Sequence, residues 1–102
     1  RRRGDFALAG VAASLTCEHG IVSQPRLTVF GAVSRPMRLS ETEELINGAD
    51  AGAEVAAAAG ASATKEVKLR GDVHASTDSR QRMLRALVRR AVIEASERAA
   101  HE

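Results

Sequence analysis

The side chains best suited to metal binding or nucleophilic catalysis in this 102-residue sequence are one cysteine and three histidines. They are Cys17, His19, His74 and His101. A structural zinc site needs four such ligands in clustered pairs, whereas these residues are scattered along the chain. A cysteine nucleophile needs a histidine held beside it in space, and closeness in sequence does not supply that. We therefore predict a turn thiol and exposed imidazoles, with no metal site and no catalytic residue.

Four arginines near the C-terminus, at positions 82, 85, 89 and 90, could contact phosphates or an acidic partner. Base stacking needs aromatic side chains, and the sequence has only two phenylalanines and no tryptophan or tyrosine. The net charge is +2, from 15 basic and 13 acidic side chains, so the pI of about 9.3 reflects the high pKa of arginine more than a basic excess. We expect a solvated helix face and do not expect nucleic acid as a partner.

Glycine-containing motifs give no further site. Arg3-Gly4-Asp5 and Arg70-Gly71-Asp72 both spell the integrin-binding tripeptide, but Gly-Asp is first of all a turn signal. Gly48, Gly52 and Gly60 lack the spacing of a dinucleotide- or phosphate-binding loop.

The N-terminal half of the chain predicts strands. Phe6 to Leu15 is a run of ten uncharged residues, too short to span a bilayer, and Phe6 to Thr16 reads as a buried strand. Leu27 to Val33 reads as the core of a second strand with one apolar face, and Glu18-His19-Gly20 supplies a hairpin turn between the two strands. Pro25 must lie at a strand start, a bulge or an edge because it cannot donate to the ladder. Met37 to Leu39 is a short third strand.

Two helices are predicted in the middle of the chain. Ser40 and Glu43 match a capping box, so a short helix should run from Glu41 to about Ile46 and end at Asn47-Gly48. A loosely held helix around Ala53 to Ala59 follows, because alanine favours helix and the glycines oppose it.

A loop or extended connection is expected from Ser62 to Ala75, followed by the most regular element. Ser76 or Thr77 can cap a helix that runs to about Ala99. Its apolar residues recur at helical spacing, and they are Leu84, Leu87, Val88, Ala91, Val92 and Ala95. The stripe predicts that this helix packs on the sheet or on the other helices.

Length and composition predict one domain of residues 1–102. The sequence begins with three arginines and no methionine, so we expect a fragment of a longer protein. We find no targeting segment, signal peptide or membrane-spanning run, and the single cysteine agrees with a reducing compartment. These features predict a soluble, cytoplasmic protein.

Three segments together resemble a known family. They are Arg2–Ala13, Leu27–Pro36 and Leu84–Ala91, which read RRGDFALAGVAA, LTVFGAVSRP and LRALVRRA. In this order and separation they resemble the C-terminal domain of the flavin-carrying subunit of molybdenum hydroxylases, the carbon monoxide dehydrogenase and xanthine dehydrogenase family. The resemblance implies an α+β fold in which a three-stranded antiparallel sheet packs against a three-helix bundle, in agreement with the elements above.

The resemblance also implies a cofactor arrangement. In that family electrons pass from a molybdopterin site through two [2Fe–2S] clusters to FAD, and each cofactor has its own subunit or domain. The main FAD-binding motifs lie in domains N-terminal to this one, which this sequence does not contain. The implied partners are those missing FAD-binding domains together with the iron–sulfur and molybdenum subunits.

Within this domain, the family's residues near the flavin belong to the loop before the first strand. The matching positions are Arg1, Arg2, Gly4 and Asp5, with Arg3 between them. In xanthine dehydrogenases an acidic residue of this loop influences the use of a nicotinamide acceptor. Gly4 stands at that place here, and Asp5 lies next to it. Two roles stay open for Asp5, which either biases the flavin by its charge or fixes the turn into the strand.

Two functional hypotheses follow. The first is a C-terminal domain of a flavin subunit in a molybdenum-containing oxidoreductase, which lines one side of FAD and helps assembly while substrate chemistry occurs elsewhere. The alternative is a stand-alone interaction module that uses its arginine-rich helix face to bind an acidic partner or nucleic acid.

Overall fold

The computed structural model of the chain describes residues 8–31, 36–69 and 78–100. Three strands and three helices follow one another along it: β1 (Leu8–Glu18), β2 (Ile21–Gly31), β3 (Met37–Arg38), α1 (Ser40–Ile46), α2 (Ala53–Leu69) and α3 (Asp78–Ala100). The strands form one antiparallel sheet in the order β1-β2-β3. The predicted α+β fold, with a three-stranded antiparallel sheet and three helices, is therefore confirmed.

β1 and β2 form the predicted hairpin. Glu18 pairs with Ile21, and the two residues between them, His19 and Gly20, have φ angles of 56° and 79°. Two left-handed residues make a turn whose twist matches that of the strands it joins. On β2, Val22 and Leu27 are buried, so one face of the hairpin forms the core.

A β-bulge interrupts the hairpin near its middle. Ser14 pairs with Arg26 and Thr16 with Ser23, which leaves one extra residue on β2. Gln24, in this bulge, has a φ of 53°, and the neighbouring Pro25 is buried. A residue without an N–H is tolerated where the ladder is broken, and this confirms the prediction for Pro25.

The start of α1 differs from the prediction. The helix begins at Ser40, and Leu39 occupies its N-cap position. No side-chain hydrogen bond is made from that position to the helix. Glu43 does not complete a capping box, because its carboxylate is held by Leu27 and Arg38 instead. The predicted end is confirmed, since Gly48 has a φ of 87° just after the last helical turn.

α2 is longer than predicted. It continues through Ser62 to Leu69, so the prediction of a loop over that range is wrong. Tertiary contacts explain the difference: Ala56, Ala59 and Ala63 are fully buried, and the small side chains let neighbouring elements approach closely. Residues 70–77, which include the rest of the predicted loop and the predicted caps Ser76 and Thr77, lie outside the described residues.

α3 confirms the predicted apolar stripe. Leu84, Val88, Val92 and Ala95 are buried, while Leu87 and Ala91 are half-buried beside them. The helix packs on both α2 and β1, and α1 packs on α2 and β2. The core therefore lies between one face of the sheet and the helices. In the described part of the chain, no helix is both long and apolar enough to cross a membrane.

Candidate functional site

The four residues predicted to lie near a cofactor are outside the described residues. They are Arg1, Arg2, Gly4 and Asp5. The chain that follows them becomes β1 at Leu8, where it enters the sheet opposite Gly31.

The cysteine and histidines are not brought together by the described structure. Cys17 is a free, half-buried thiol on β1, and His19 is exposed in the hairpin turn. His74 and His101 lie outside the described ranges. Over residues 8–31, 36–69 and 78–100, no group of three or more histidine, cysteine or acidic side chains could hold a metal ion.

Sequence reasoning missed a buried carboxylate that joins the sheet to α1. Glu43 accepts a hydrogen bond from the backbone N–H of Leu27 at 2.9 Å. The Arg38 guanidinium donates to both carboxylate oxygens, with Nε 3.1 Å from Oε1 and 2.9 Å from Oε2, and Nη2 3.0 Å from Oε1. Burial opposes ionisation most strongly, but the hydrogen bonds from Arg38 and Leu27 and the charges of Arg38 and Arg26 outweigh it and hold the pKa of Glu43 below its ordinary value.

A second buried glutamate caps α1 from a distance. The carboxylate of Glu66, on α2, accepts hydrogen bonds from the backbone N–H groups of Glu41 at 3.1 Å and Thr42 at 2.9 Å. It also accepts one from the Thr42 hydroxyl at 2.9 Å, and that hydroxyl contacts Ser62 Oγ at the same distance. The free N–H groups at a helix start need acceptors and favour negative charge. Glu66 therefore caps the start of α1, which is the role that the sequence predicted for Ser40.

A depression of about 410 Å³ lies at the bulge of the sheet, and Leu15 and Pro25 supply its apolar lining. Its polar lining comes from Ser14, Thr16, Gln24, Arg26 and Arg38. The Arg38 guanidinium is already held by Glu43, which neutralises part of the positive charge there. Hydroxyls and guanidinium groups can bind a partner, but this set contains neither a general base nor a nucleophile with a base beside it.

The predicted arginine face of α3 is exposed. Arg82, Arg85, Arg89 and Arg90 are all exposed, while Leu84, Val88, Val92 and Ala95 of the same helix are buried. Arg85 lies close to α2: a Cβ added at Gly60 would be 2.7 Å from the Arg85 carbonyl oxygen and 2.9 Å from its Cγ. Gly60 thus serves close helix packing and does not belong to a phosphate-binding loop.

Comparison with known proteins finds a family pattern over nearly the whole chain. The model of the CO dehydrogenase flavoprotein C-terminal domain matches residues 1–95. This match includes the four predicted cofactor-facing positions as well as all three strands.

Two relatives come from Paenarthrobacter nicotinovorans. The nicotine 6-hydroxylase medium subunit is 35% identical over 98 residues, which are 96% of this chain and 35% of that protein. The 6-hydroxypseudooxynicotine dehydrogenase complex subunit alpha is 33% identical over 100 residues, or 97% of this chain and 34% of that protein. The chain thus spans about a third of the length of the curated relatives it matches.

A solved structure shares the fold. The crystal structure of quinoline 2-oxidoreductase from Pseudomonas putida 86 superposes with a TM-score of 0.73 and 24% identity. The match covers 93% of this chain and 37% of that one. The arrangement of strands and helices described above is therefore one that an experimentally solved protein also adopts.

Proposed function

The chain belongs to the family of CO dehydrogenase flavoprotein C-terminal domains, and from this premise we propose that it is the C-terminal domain of the flavin subunit of a molybdenum-containing oxidoreductase. The family match over residues 1–95 carries the proposal. The names of two relatives support it, since one is a medium subunit and the other a subunit of a dehydrogenase complex. The parent enzymes in this proposal are of the carbon monoxide dehydrogenase and xanthine dehydrogenase kind, and they act in the cytoplasm.

The domain lines one side of FAD and does not hold the cofactor by itself. The roles of three glycines support this division of labour: Gly48 and Gly52 have positive φ angles at the ends of helices, and Gly60 is packed against Arg85, so these three do not form a pyrophosphate cradle. The main FAD contacts then come from the rest of the subunit, and molybdopterin and the [2Fe–2S] clusters are held by partner subunits. When bound, FAD accepts the electrons that leave the molybdenum and iron–sulfur centres.

The proposal is tested by measuring FAD binding to two proteins, the complete flavin subunit and the 102-residue chain. Fluorescence titration should show stoichiometric, tight binding by the subunit and weak or no binding by the chain, because contacts to the ring alone supply little of the affinity. Tight stoichiometric binding by the isolated chain would contradict the division of labour. A complete subunit that binds no flavin would contradict the proposed function itself.

The residues assigned to the flavin side are Arg1, Arg2, Gly4 and Asp5. Of these, Asp5 gives the sharpest test, since a carboxylate beside the ring disfavours its reduced, more negative forms. Asp5→Asn in the complete subunit should therefore raise the flavin midpoint potential. The matched control is Asp50→Asn, because Asp50 is exposed near α2 and carries the same charge. Equal flavin midpoint potentials in wild type, Asp5→Asn and Asp50→Asn would show that the charge of Asp5 does not act on the flavin. Asp5 would then be assigned to the turn before β1.

A further inference from the structure

Three of the exposed arginines on α3 form one ridge, which we call the arginine ridge and define as Arg82, Arg85 and Arg89. Each residue of an α-helix is rotated by about 100° from the one before it, so these three lie within about 60° of one another. Arg90 has the same chemistry, but it lies about 100° around the helix from Arg89. The structure thus contains a patch of positive charge and, on the same helix, an arginine outside it.

The guanidinium groups of the ridge form no ion pair within the described part of the chain, and the exposed Asp78 lies one turn before Arg82 on the same side of α3. Arg38 is paired with Glu43, and Arg98 donates from Nη2 to the Ala13 carbonyl oxygen at 3.0 Å. By contrast, Arg82, Arg85 and Arg89 form no hydrogen bond or ion pair with any described residue. Their guanidinium groups keep their donors available for another molecule.

The middle of α2, where Gly60 meets Arg85, carries small side chains, and the exposed Glu54 lies in the first turn of that helix. Ala57 and Ala61, on either side of Gly60 in sequence, are exposed and small, and Lys65 one turn later is also exposed. Glu66 is buried against α1 and cannot reach this surface. A contacting partner therefore meets three guanidinium groups beside small side chains of α2, with the acids Asp78 and Glu54 in the first turns of the two helices.

The ridge is held on a rigid support. Leu84, Val88 and Val92 anchor α3 in the core, with Val88 and Val92 on the flank of the helix next to Arg85, and the close contact between Gly60 and Arg85 fixes α3 against α2. Guanidinium groups on a packed helix lose less freedom on binding than groups on a loop would. Arginine is also enriched at the centres of protein interfaces, where lysine is depleted.

We propose that the arginine ridge docks an acidic surface of another subunit of the same oxidoreductase complex. The inference rests on the proposed function, and the subunit names of the two relatives supply the reason to expect such a partner. Carboxylates match the ridge because a guanidinium binds them with two parallel hydrogen bonds. A nucleic acid fits less well: of the two phenylalanines, Phe30 is half-buried on β2 and Phe6 is remote in sequence, so no ring on the described part of α3 offers base stacking.

The test uses the complete flavin subunit and its purified partner subunits. Dissociation constants are measured by surface plasmon resonance, at low and at physiological salt, for wild type, Arg89→Glu and Arg90→Glu. We expect Arg89→Glu to weaken binding by about tenfold or more, with a smaller salt dependence than wild type, and Arg90→Glu to change it by less than about twofold. Thermal unfolding and FAD content of each variant should match wild type, which shows that the fold and the flavin site are intact.

The outcomes separate the two proposals. If the wild-type subunit binds FAD and its partners while Arg89→Glu and Arg90→Glu behave alike, the ridge inference is wrong and the proposed function stands. If the wild-type subunit binds neither flavin nor partner subunits, the proposed function fails and the ridge inference with it. A gel-shift assay with duplex and single-stranded DNA completes the set, and DNA binding by wild type that Arg89→Glu abolishes would overturn the choice of an acidic protein partner.

Discussion

Among the described residues two glutamates are buried, and each carboxylate accepts hydrogen bonds from other elements. Glu43, on α1, receives the Leu27 N–H of β2 and the Arg38 guanidinium of β3. Glu66, on α2, receives two N–H groups and a hydroxyl from the first turn of α1. A buried carboxylate is tolerated only when such donors replace water. The two residues therefore hold α1 between the sheet and α2.

Removing the charge of Glu66 should destabilise the chain. In Glu66→Gln, an amide group faces the N–H donors of Glu41 and Thr42, and only one acceptor oxygen remains for them. We expect the free energy of unfolding to fall by about 1–3 kcal/mol, as for other buried hydrogen-bond groups left without a partner. Urea unfolding measures this change. Glu44→Gln, on the exposed side of α1, is the control and should change it by less than about 0.5 kcal/mol.

Glu43 should make stability depend on acid pH. Its pKa is lower in the folded chain than the ordinary value of 4.5, so its contribution is present above about pH 4.5 and is lost as the pH falls through the folded pKa. Glu43→Gln removes this contribution. The gap in urea midpoint between wild type and Glu43→Gln should therefore be largest near neutral pH and narrow on acidification. A gap that stays constant with pH would show that the ionised carboxylate is not the cause.

Sequence signals within a few residues of each other predicted the hairpin and α3, but not the length of α2. The turn residues His19 and Gly20 and the apolar stripe of α3 are encoded within a few residues, so they could be read from the sequence. The helical state of Ser62–Leu69 depends on partners that are distant in sequence, since Glu66 bonds to residues of α1 and Gly60 packs on α3. The prediction of a capping box was wrong for the same reason, because one of the groups that donates to Glu43, the Leu27 N–H, is 16 residues away.

The contact between α2 and α3 makes Gly60 sensitive to substitution. Glycine to alanine stabilises an isolated helix by about 1 kcal/mol, but at position 60 the new Cβ would lie 2.7 Å from the Arg85 carbonyl oxygen. We expect Gly60→Ala to destabilise the chain by about 1–3 kcal/mol, because backbone must move to relieve the overlap. Gly10→Ala is the control, since nothing lies within 4 Å of a Cβ there. Thermal unfolding compares the two, and a more stable Gly60→Ala would show that the helices can separate at little cost.

In the whole molecule, the elements form a closed circuit around the core. β2 pairs with β1, β1 packs on α3, α3 on α2, α2 on α1, and α1 returns to β2. The fold class could be predicted because the strands, the hairpin turn and the apolar stripe of α3 were visible in the sequence, and the family resemblance implied how the sheet and three helices pack. The candidate cofactor residues Arg1, Arg2, Gly4 and Asp5 stay a prediction, since they rest on family resemblance and lie outside the described residues. The arginine ridge was visible as a helix face, but only the structure shows that its guanidinium groups have no hydrogen-bond or ion-pair partner among the described residues.

A closed circuit predicts that the sheet and the helices unfold together, and Leu27 is the residue that tests it. Its side chain is fully buried, its N–H donates to Glu43, and its carbonyl accepts the N–H of Leu39 at 2.9 Å. Leu27→Ala should lower the free energy of unfolding by about 2–5 kcal/mol, through lost burial and the cavity that remains. Leu45→Ala is the control, because Leu45 is 55% exposed, and should cost less than about 1 kcal/mol.

Two probes distinguish a single cooperative unit from independent layers. Far-ultraviolet circular dichroism follows the helices, and the reactivity of the Cys17 thiol follows the sheet, since the chain has no tryptophan or tyrosine to report on packing. In Leu27→Ala both urea midpoints should fall by the same amount, although the substitution lies in β2, because a two-state domain loses all its elements in one transition. If only the urea midpoint followed by Cys17 reactivity fell, α2 and α3 would remain folded without the sheet. The five packed elements would then not unfold as one cooperative unit.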